Sequence, residues 1–176
     1  MAHFDDIYEI AADNYGLVSA KEAGSVGVTT AELSRYVREG RLGRIGHGLY
    51  RLARYTPTPY DSYAEAVALV GAGAYLYGES VIAMHALAPT NPKLIRVATP
   101  KRVRRALPDH IIVDQRAADR PLKSYEGIPS QSVFEAIRSC KGQMMSERLA
   151  EAAEKARRNG LITKSQYDSL TEELAR

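Results

Sequence analysis

Cysteine is almost absent from this 176-residue chain: Cys140 is the only one. A single cysteine excludes an internal disulfide and any cysteine-based zinc site, which suits a reducing cytoplasm and a buried apolar role for Cys140. The four histidines, His3, His47, His85 and His110, show no i, i+4 pair, so transition-metal spacing is missing and no metal is expected. No apolar run approaches the roughly 20 residues of a membrane helix. The chain opens with His3, Asp5 and Asp6 rather than a basic stretch before an apolar core, and a cytoplasmic protein is the expectation.

Motifs for chemistry are scarce as well. Gly71-Ala72-Gly73 is followed by Leu76 where a dinucleotide fingerprint needs its third glycine, and no P-loop lysine follows. No Gly-x-Ser-x-Gly elbow occurs. Gly78-Glu79-Ser80 is like the start of a nucleotidyltransferase site, but the paired acidic metal ligands that two-metal phosphoryl chemistry requires do not follow. The sequence therefore reads as a binder, not an enzyme, with no cofactor and no catalytic residues.

What is present is ordinary globular composition, 45% apolar and 26% charged, enough for one or two compact units. The net charge of +3 conceals strong segregation: residues 1–28 sum to −4, 29–54 to +4, 55–92 to −3, 93–123 to +6 and 124–176 to zero. Two basic blocks of this kind attract polyanions although the molecule is nearly neutral.

The first block lies in a legible pattern. Phe4, Ile7, Tyr8 and Ala11 recur at helical spacing, predicting a helix over 4–14. Ser19 to Glu22 has capping-box spacing, and the short helix it opens must stop near Val26 because Gly27 follows. Thr29 to Glu32 repeats the box, while Val28 and Leu33 occupy the two positions of a hydrophobic staple. The helix so started turns Leu33, Tyr36 and Val37 inward and Thr30, Ser34, Arg35 and Arg38 outward.

A short helix, a glycine turn and a second helix make a helix-turn-helix. Arg35 is the leading base reader, since arginine can pair with two acceptors of guanine, and Thr29, Thr30, Ser34 and Arg38 share its end of the helix. Leu42 to Leu52, centred on Gly46-His47-Gly48, predicts a hairpin wing. Arg44, Arg51 and Arg54 are expected beside the duplex backbone, with His47 at the tip. The competing reading is a three-helix protein-docking module whose arginines are merely solvated.

Thr56-Pro57-Thr58-Pro59 is a stiff spacer, and the expected domains are 1–56, a winged helix-turn-helix, and 57–176. In the second, a helix is predicted over 60–71, strands at 74–77, 94–98, 110–114 and 122–126, and a helix over 80–87. Stripes at Val133, Ile137 and Cys140 and at Leu149, Ala152, Ala153 and Ala156, then a capping box at Thr163, predict a C-terminal helical bundle. The fold class is α+β: a winged helix-turn-helix, a small mixed sheet and a helical bundle. The second basic block contains Lys93, Arg96, Lys101, Arg102, Arg104 and Arg105, with Arg116, Arg120 and Lys123 beyond. It fits either a second nucleic-acid or acidic-partner surface or a solvated loop beside the sheet.

Three stretches carry a family resemblance: Arg44 to Arg51 at the wing, Gly78 to Leu87 with Arg96 to Arg105, and Gly127-Ile128-Pro129. Across nearly its whole length the chain resembles AbiEi-type antitoxins of abortive-infection, type IV, toxin–antitoxin systems. The resemblance implies a transcriptional autorepressor that binds double-stranded DNA, the inverted repeats of its own promoter, through the winged helix. It also implies an antitoxin domain at 57–176 that opposes a nucleotidyltransferase toxin without implying a stable complex. The alternative reading is a plain winged-helix regulator whose C-terminal domain senses a ligand or dimerises.

Overall fold

The computed structural model describes residues 2–176 apart from 92 and 119, and it divides into two compact units, Met1–Leu69 and Val70–Arg176. In the first unit, α1 (Ala2–Ala12) is followed by β1 (Leu17–Ser19), α2 (Ala20–Ser25), α3 (Thr30–Arg38), β2 (Leu42–Gly46), β3 (Leu49–Leu52) and α4 (Asp61–Val70). The three strands form an antiparallel sheet in the order β1-β3-β2. This is the element order of a winged helix.

Helix α1 ends earlier than its periodicity suggests, because Tyr15 (φ 56°) and Gly16 (φ 70°) reverse the chain. A side chain at 16 would also strike the Tyr55 ring, 2.7 Å from an added Cβ. Ile7 and Ala11 are fully buried, whereas Tyr8, placed on the same stripe by spacing, is 52% exposed. Phe4 and Ile10 take up the face it leaves. Strand β1 is an element that sequence reading did not predict. Its Leu17 and Val18 are both fully buried, one on each face of the sheet.

The sheet's first face packs on the three helices through Val18, Leu42, Tyr50 and Leu52, joined by Leu33 and Tyr36 of α3. Residues on the second face include Leu17, Leu49 and Arg51, and helix α4 meets that side: Glu65 pairs with Arg51, and a Cβ on Gly46 would lie 2.5 Å from the Leu69 side chain. Tyr55 also donates to Asp61 at 3.1 Å. These contacts place α4 with the first unit, so the compact division falls after Leu69 rather than at the proline-bearing spacer.

In the second unit, β4 (Tyr75–Leu76), α5 (Glu79–Met84), β5 (Ile95–Thr99), β6 (Ile111–Gln115), β7 (Lys123–Tyr125) and β8 (Ile128–Ser130) precede α6 (Val133–Ser139), α7 (Ser146–Arg158) and α8 (Lys164–Leu174). The sheet order is β6-β5-β4-β8-β7. It is mixed: β5 with β6 and β4 with β8 run parallel, the other neighbours antiparallel. Strand β8 was not expected, because Gly127-Ile128-Pro129 read as the lead into the helices. Pro129 can sit in β8 because that strand is three residues long and is paired with β4 at one position, Leu76 with Ser130, so few ladder bonds are lost.

The helical segment follows its caps. Ser132 accepts from the Glu135 amide at 3.2 Å to open α6, and Thr163 and Gln166 exchange the two bonds of a capping box at 2.9 and 3.2 Å. Leu149, Ala152, Ala153 and Ala156 are buried along α7, and Cys140 is 3% exposed. Burial, with Glu79's charge second, pushes the Cys140 thiol up to about 11, so it stays an inert apolar filler at neutral pH. Among the described residues no helix is long and apolar enough to cross a membrane.

Candidate nucleic-acid interface

The two helices of the turn are fixed by reciprocal caps. Ser19 Oγ accepts from the Glu22 amide at 3.1 Å while Glu22 Oε2 accepts from the Ser19 amide at 2.8 Å. Thr29 and Glu32 repeat the exchange at 3.2 and 2.9 Å. Between them Gly27 adopts φ 83° with open space where a Cβ would stand, so glycine is needed there for backbone conformation and not for room. The staple pair Val28 and Leu33 is 3% and 0% exposed, which fixes the angle at which the chain enters α3.

This arrangement decides which side chains α3 leaves free. Thr29 does not stay available: its hydroxyl donates to Glu32 Oε2 at 3.0 Å and accepts the Glu32 amide. Glu32 is further held by His3 Nδ1 at 3.1 Å. The Thr29 amide, then the His3 and Thr29 side-chain bonds, lower its carboxyl from 4.5 to about 2. Thr30, Ser34, Arg35 and Arg38 are exposed and share one outward face at i, i+4 spacing. Arg35 lies over the Tyr36 ring at 5.1 Å and 3.6 Å from Glu39, half-exposed, a loose surface pair that a stronger partner can replace.

The hairpin forms as expected, with His47 and Gly48 at its tip and an irregularity between Arg44 and Gly46. Arg44 is exposed and reaches its own strand, Nε to the Gly46 carbonyl at 3.4 Å. His47 and Arg54 are exposed. Arg51 is the least exposed of the wing arginines: Nη1 donates to Glu65 at 2.8 Å, the side chain is 20% exposed, and Nε and Nη2 are buried with no hydrogen-bond partner among the described residues. As an odd-numbered residue of β3 it faces α4 with Leu49, away from the α3 side of the sheet. That pair ties the wing to α4.

Two cations went unremarked in the sequence. Lys21 is exposed in the first turn of α2, and the Ala20 amide donates to the Gly48 carbonyl at 2.8 Å. Lys21 thus sits beside the wing tip and His47, a neighbourhood created by the β1–β3 pairing that was not foreseen. Arg41 stacks on the Phe4 ring at 3.4 Å and near Tyr36 at 5.3 Å, joining α1 to the end of α3 by cation–π attraction.

The second basic block does not assemble as one patch. Arg96 on β5 faces Asp114 on β6 at 3.8 Å. Arg105 donates to the Val70 carbonyl at 3.1 Å, and its guanidinium fills the space over Gly71. Arg120 pairs with Glu135 at 3.0 Å, and Arg116 bonds the Tyr77 hydroxyl. Lys93, Lys101, Arg102, Arg104 and Lys123 are exposed, and three of these, Lys101, Arg102 and Arg104, fall close together between β5 and β6.

Comparison with known proteins agrees with this geometry in the first unit. The family model described as "Transcriptional regulator, AbiEi antitoxin" matches residues 5–53, which run from α1 to the end of the wing. No curated protein matches the chain. Among solved structures, the crystal structure of the RV2827C protein from Mycobacterium tuberculosis is similar at 13% identity and TM-score 0.41, over 97% of this chain and 80% of that one. The family match covers the helix-turn-helix and the wing and ends at residue 53.

Proposed function

We propose that this protein is a DNA-binding antitoxin that represses its own operon and opposes a nucleotidyltransferase toxin. The observation that carries the reading is the outward face of α3. Thr30, Ser34, Arg35 and Arg38 are exposed on a helix held at both ends within a winged-helix frame of a regulator family. An α-helix of this size enters the major groove, where arginine reads guanine and serine or threonine reads either partner.

Arg44, His47 and Arg54 flank that helix on the wing side and supply phosphate contacts, which set register without reading sequence. The antitoxin role is assigned to the second unit, with Lys101, Arg102 and Arg104 as its charged face and Lys93 beside them. Arg96 and Arg105 already have partners in Asp114 and the Val70 carbonyl and are secondary to that face.

Growth rescue tests both halves of the reading. The gene beside this one is expressed under tight control, and the full-length protein is supplied in trans while binding to the upstream DNA is measured by mobility shift. Rescue together with specific binding of the upstream DNA is expected. Specific binding without rescue of a demonstrably toxic neighbour would reduce the protein to a plain winged-helix regulator, and failure of both would overturn the proposal.

A further inference from the structure

Each of the two sheets has two edge strands, and three of these edges are blunted. In the first unit, β1 is three residues long, and β2 carries Arg44, two glycines and an irregularity between Arg44 and Gly46. In the second, β7 is also three residues long and begins with the exposed Lys123. Short strands, bulges and outward cations guard an edge against pairing with another chain. Strand β6 has none of them: it runs for five residues, Ile111-Ile112-Val113-Asp114-Gln115, without glycine, proline or lysine. Its charged member, Asp114, is turned to Arg96 of β5 at 3.8 Å.

The ladder shows which backbone groups of β6 face outward. The strand runs parallel to β5, in register from Ile111 with Ile95 to Gln115 with Thr99. The Ile95 amide donates to the His110 carbonyl and the Arg116 amide to the Thr99 carbonyl, both at 2.8 Å, so the even-numbered residues turn their backbone groups to β5. Ile111, Val113 and Gln115 turn theirs to the open side. There the Ile111 amide is spent on the Pro108 carbonyl at 3.0 Å, while the Val113 and Gln115 amides meet no acceptor among the described residues. Ile112 and Val113 are only half-buried, and they leave apolar surface beside the edge on both faces of the sheet.

We infer that β6 docks against β6 of a second copy of this chain, antiparallel across a two-fold axis at Val113, so that two five-stranded sheets become one. In this register Val113 exchanges both of its bonds with the other Val113, and each Gln115 amide meets the outward Ile111 carbonyl of the other copy. Asp114 then stands opposite Ile112, and no like charges oppose each other along the strand. The neighbouring registers fit worse. Centring on Ile112 points the Val113 carbonyl at the spent Ile111 amide and Gln115 at Asp109, which lies in the preceding turn. Centring on Asp114 sets two carboxylates against each other. The edge is thus complementary to itself in one arrangement, and because Lys123 guards the opposite edge, pairing closes at two copies. The inference concerns the second unit alone and does not depend on the DNA-binding reading.

The test is analytical sedimentation of the full-length protein from micromolar to millimolar concentration. A reversible equilibrium between monomer and dimer is expected, with no larger species. Val113→Pro removes an amide that the monomer's own ladder does not use, so it should weaken the dimer at least tenfold and leave the thermal unfolding midpoint near the wild-type value. Val113→Lys, which sets two cations against each other at the axis, should weaken it comparably, and added salt should restore part of the loss. A protein that stays monomeric at millimolar concentration would overturn the inference, as would a dimer indifferent to Val113→Lys. Growth into open-ended oligomers would overturn the closed two-fold arrangement.

Discussion

The two basic blocks look alike as strings and differ as surfaces. In the first, residues 29–54, the cations ride on a capped helix and a hairpin. Arg38, His47 and Arg54 are exposed there, Arg35 has only a loose partner, and Arg51 turns inward to Glu65. In the second, residues 93–123, carboxylates and backbone carbonyls claim Arg96, Arg105 and Arg120, while Lys93, Lys101, Arg102, Arg104 and Lys123 are exposed, three of them close together around Arg102. Charge density in a sequence reports how many cations a segment has; the alternation of strand faces and the reach of neighbouring acids decide how many remain available.

The largest effect should come from separating the two surfaces. Under the proposed function, joint replacement of Lys101, Arg102 and Arg104 by alanine is expected to abolish rescue from the neighbouring gene's product in a growth assay while promoter affinity stays within about twofold. If promoter binding fell instead, the second block would belong to the DNA interface and the contrast would collapse. Within the first block, Arg35→Ala should lower discrimination between operator and random DNA by about 1–3 kcal/mol, measured by competition at fixed salt. An equal loss on both DNAs would move Arg35 to the phosphate contacts.

Arg51 and Arg54 sharpen the comparison further, because they stand three residues apart in one basic string. Arg51→Ala should cost about 1–2 kcal/mol of unfolding free energy, since it strands Glu65 in a partly buried position, and leave the salt dependence of DNA binding nearly unchanged. Arg54→Ala should do the reverse, leaving stability intact and reducing the salt slope by about one. Denaturant unfolding and a salt titration of affinity on the same two variants decide it. If Arg51→Ala alone changed the salt slope, the wing would have to reach DNA by the face that α4 covers.

Much of the fold was readable because it is punctuated. Every reciprocal cap expected from spacing is present, at Ser19, Thr29 and Thr163, since capping boxes are local and need no tertiary information. The strands that escaped notice, β1 and β8, are three residues each. Leu17 and Val18 are buried on both faces and show no alternation, and Pro129 argues against a strand from sequence alone. The candidate site was legible as composition but not as geometry. Thr29's double engagement follows from the cap that predicted it, whereas the Arg51–Glu65 pair spans fourteen residues and depends on α4 folding back, which no local pattern encodes.

The smallest effect concerns the cap that takes Thr29 out of the proposed DNA face. Glu32 titrates near 2 in the folded chain against an ordinary 4.5, chiefly because the Thr29 amide donates to it and then because His3 and the Thr29 hydroxyl do. A carboxyl lowered on folding stabilises the native state above its unfolded value, and that contribution disappears as pH falls from about 4.5 towards 2. Thr29→Ala removes the hydroxyl's two bonds but keeps the amide, so it should cost about 1 kcal/mol at neutral pH and raise the Glu32 value only part of the way to 4.5. Carboxyl-detected NMR titration of wild type and variant reads the shift directly. Tighter or more selective promoter binding by Thr29→Ala would contradict the assignment of Thr29 to the cap, whereas an unchanged operator preference leaves base reading to Thr30, Ser34 and Arg35.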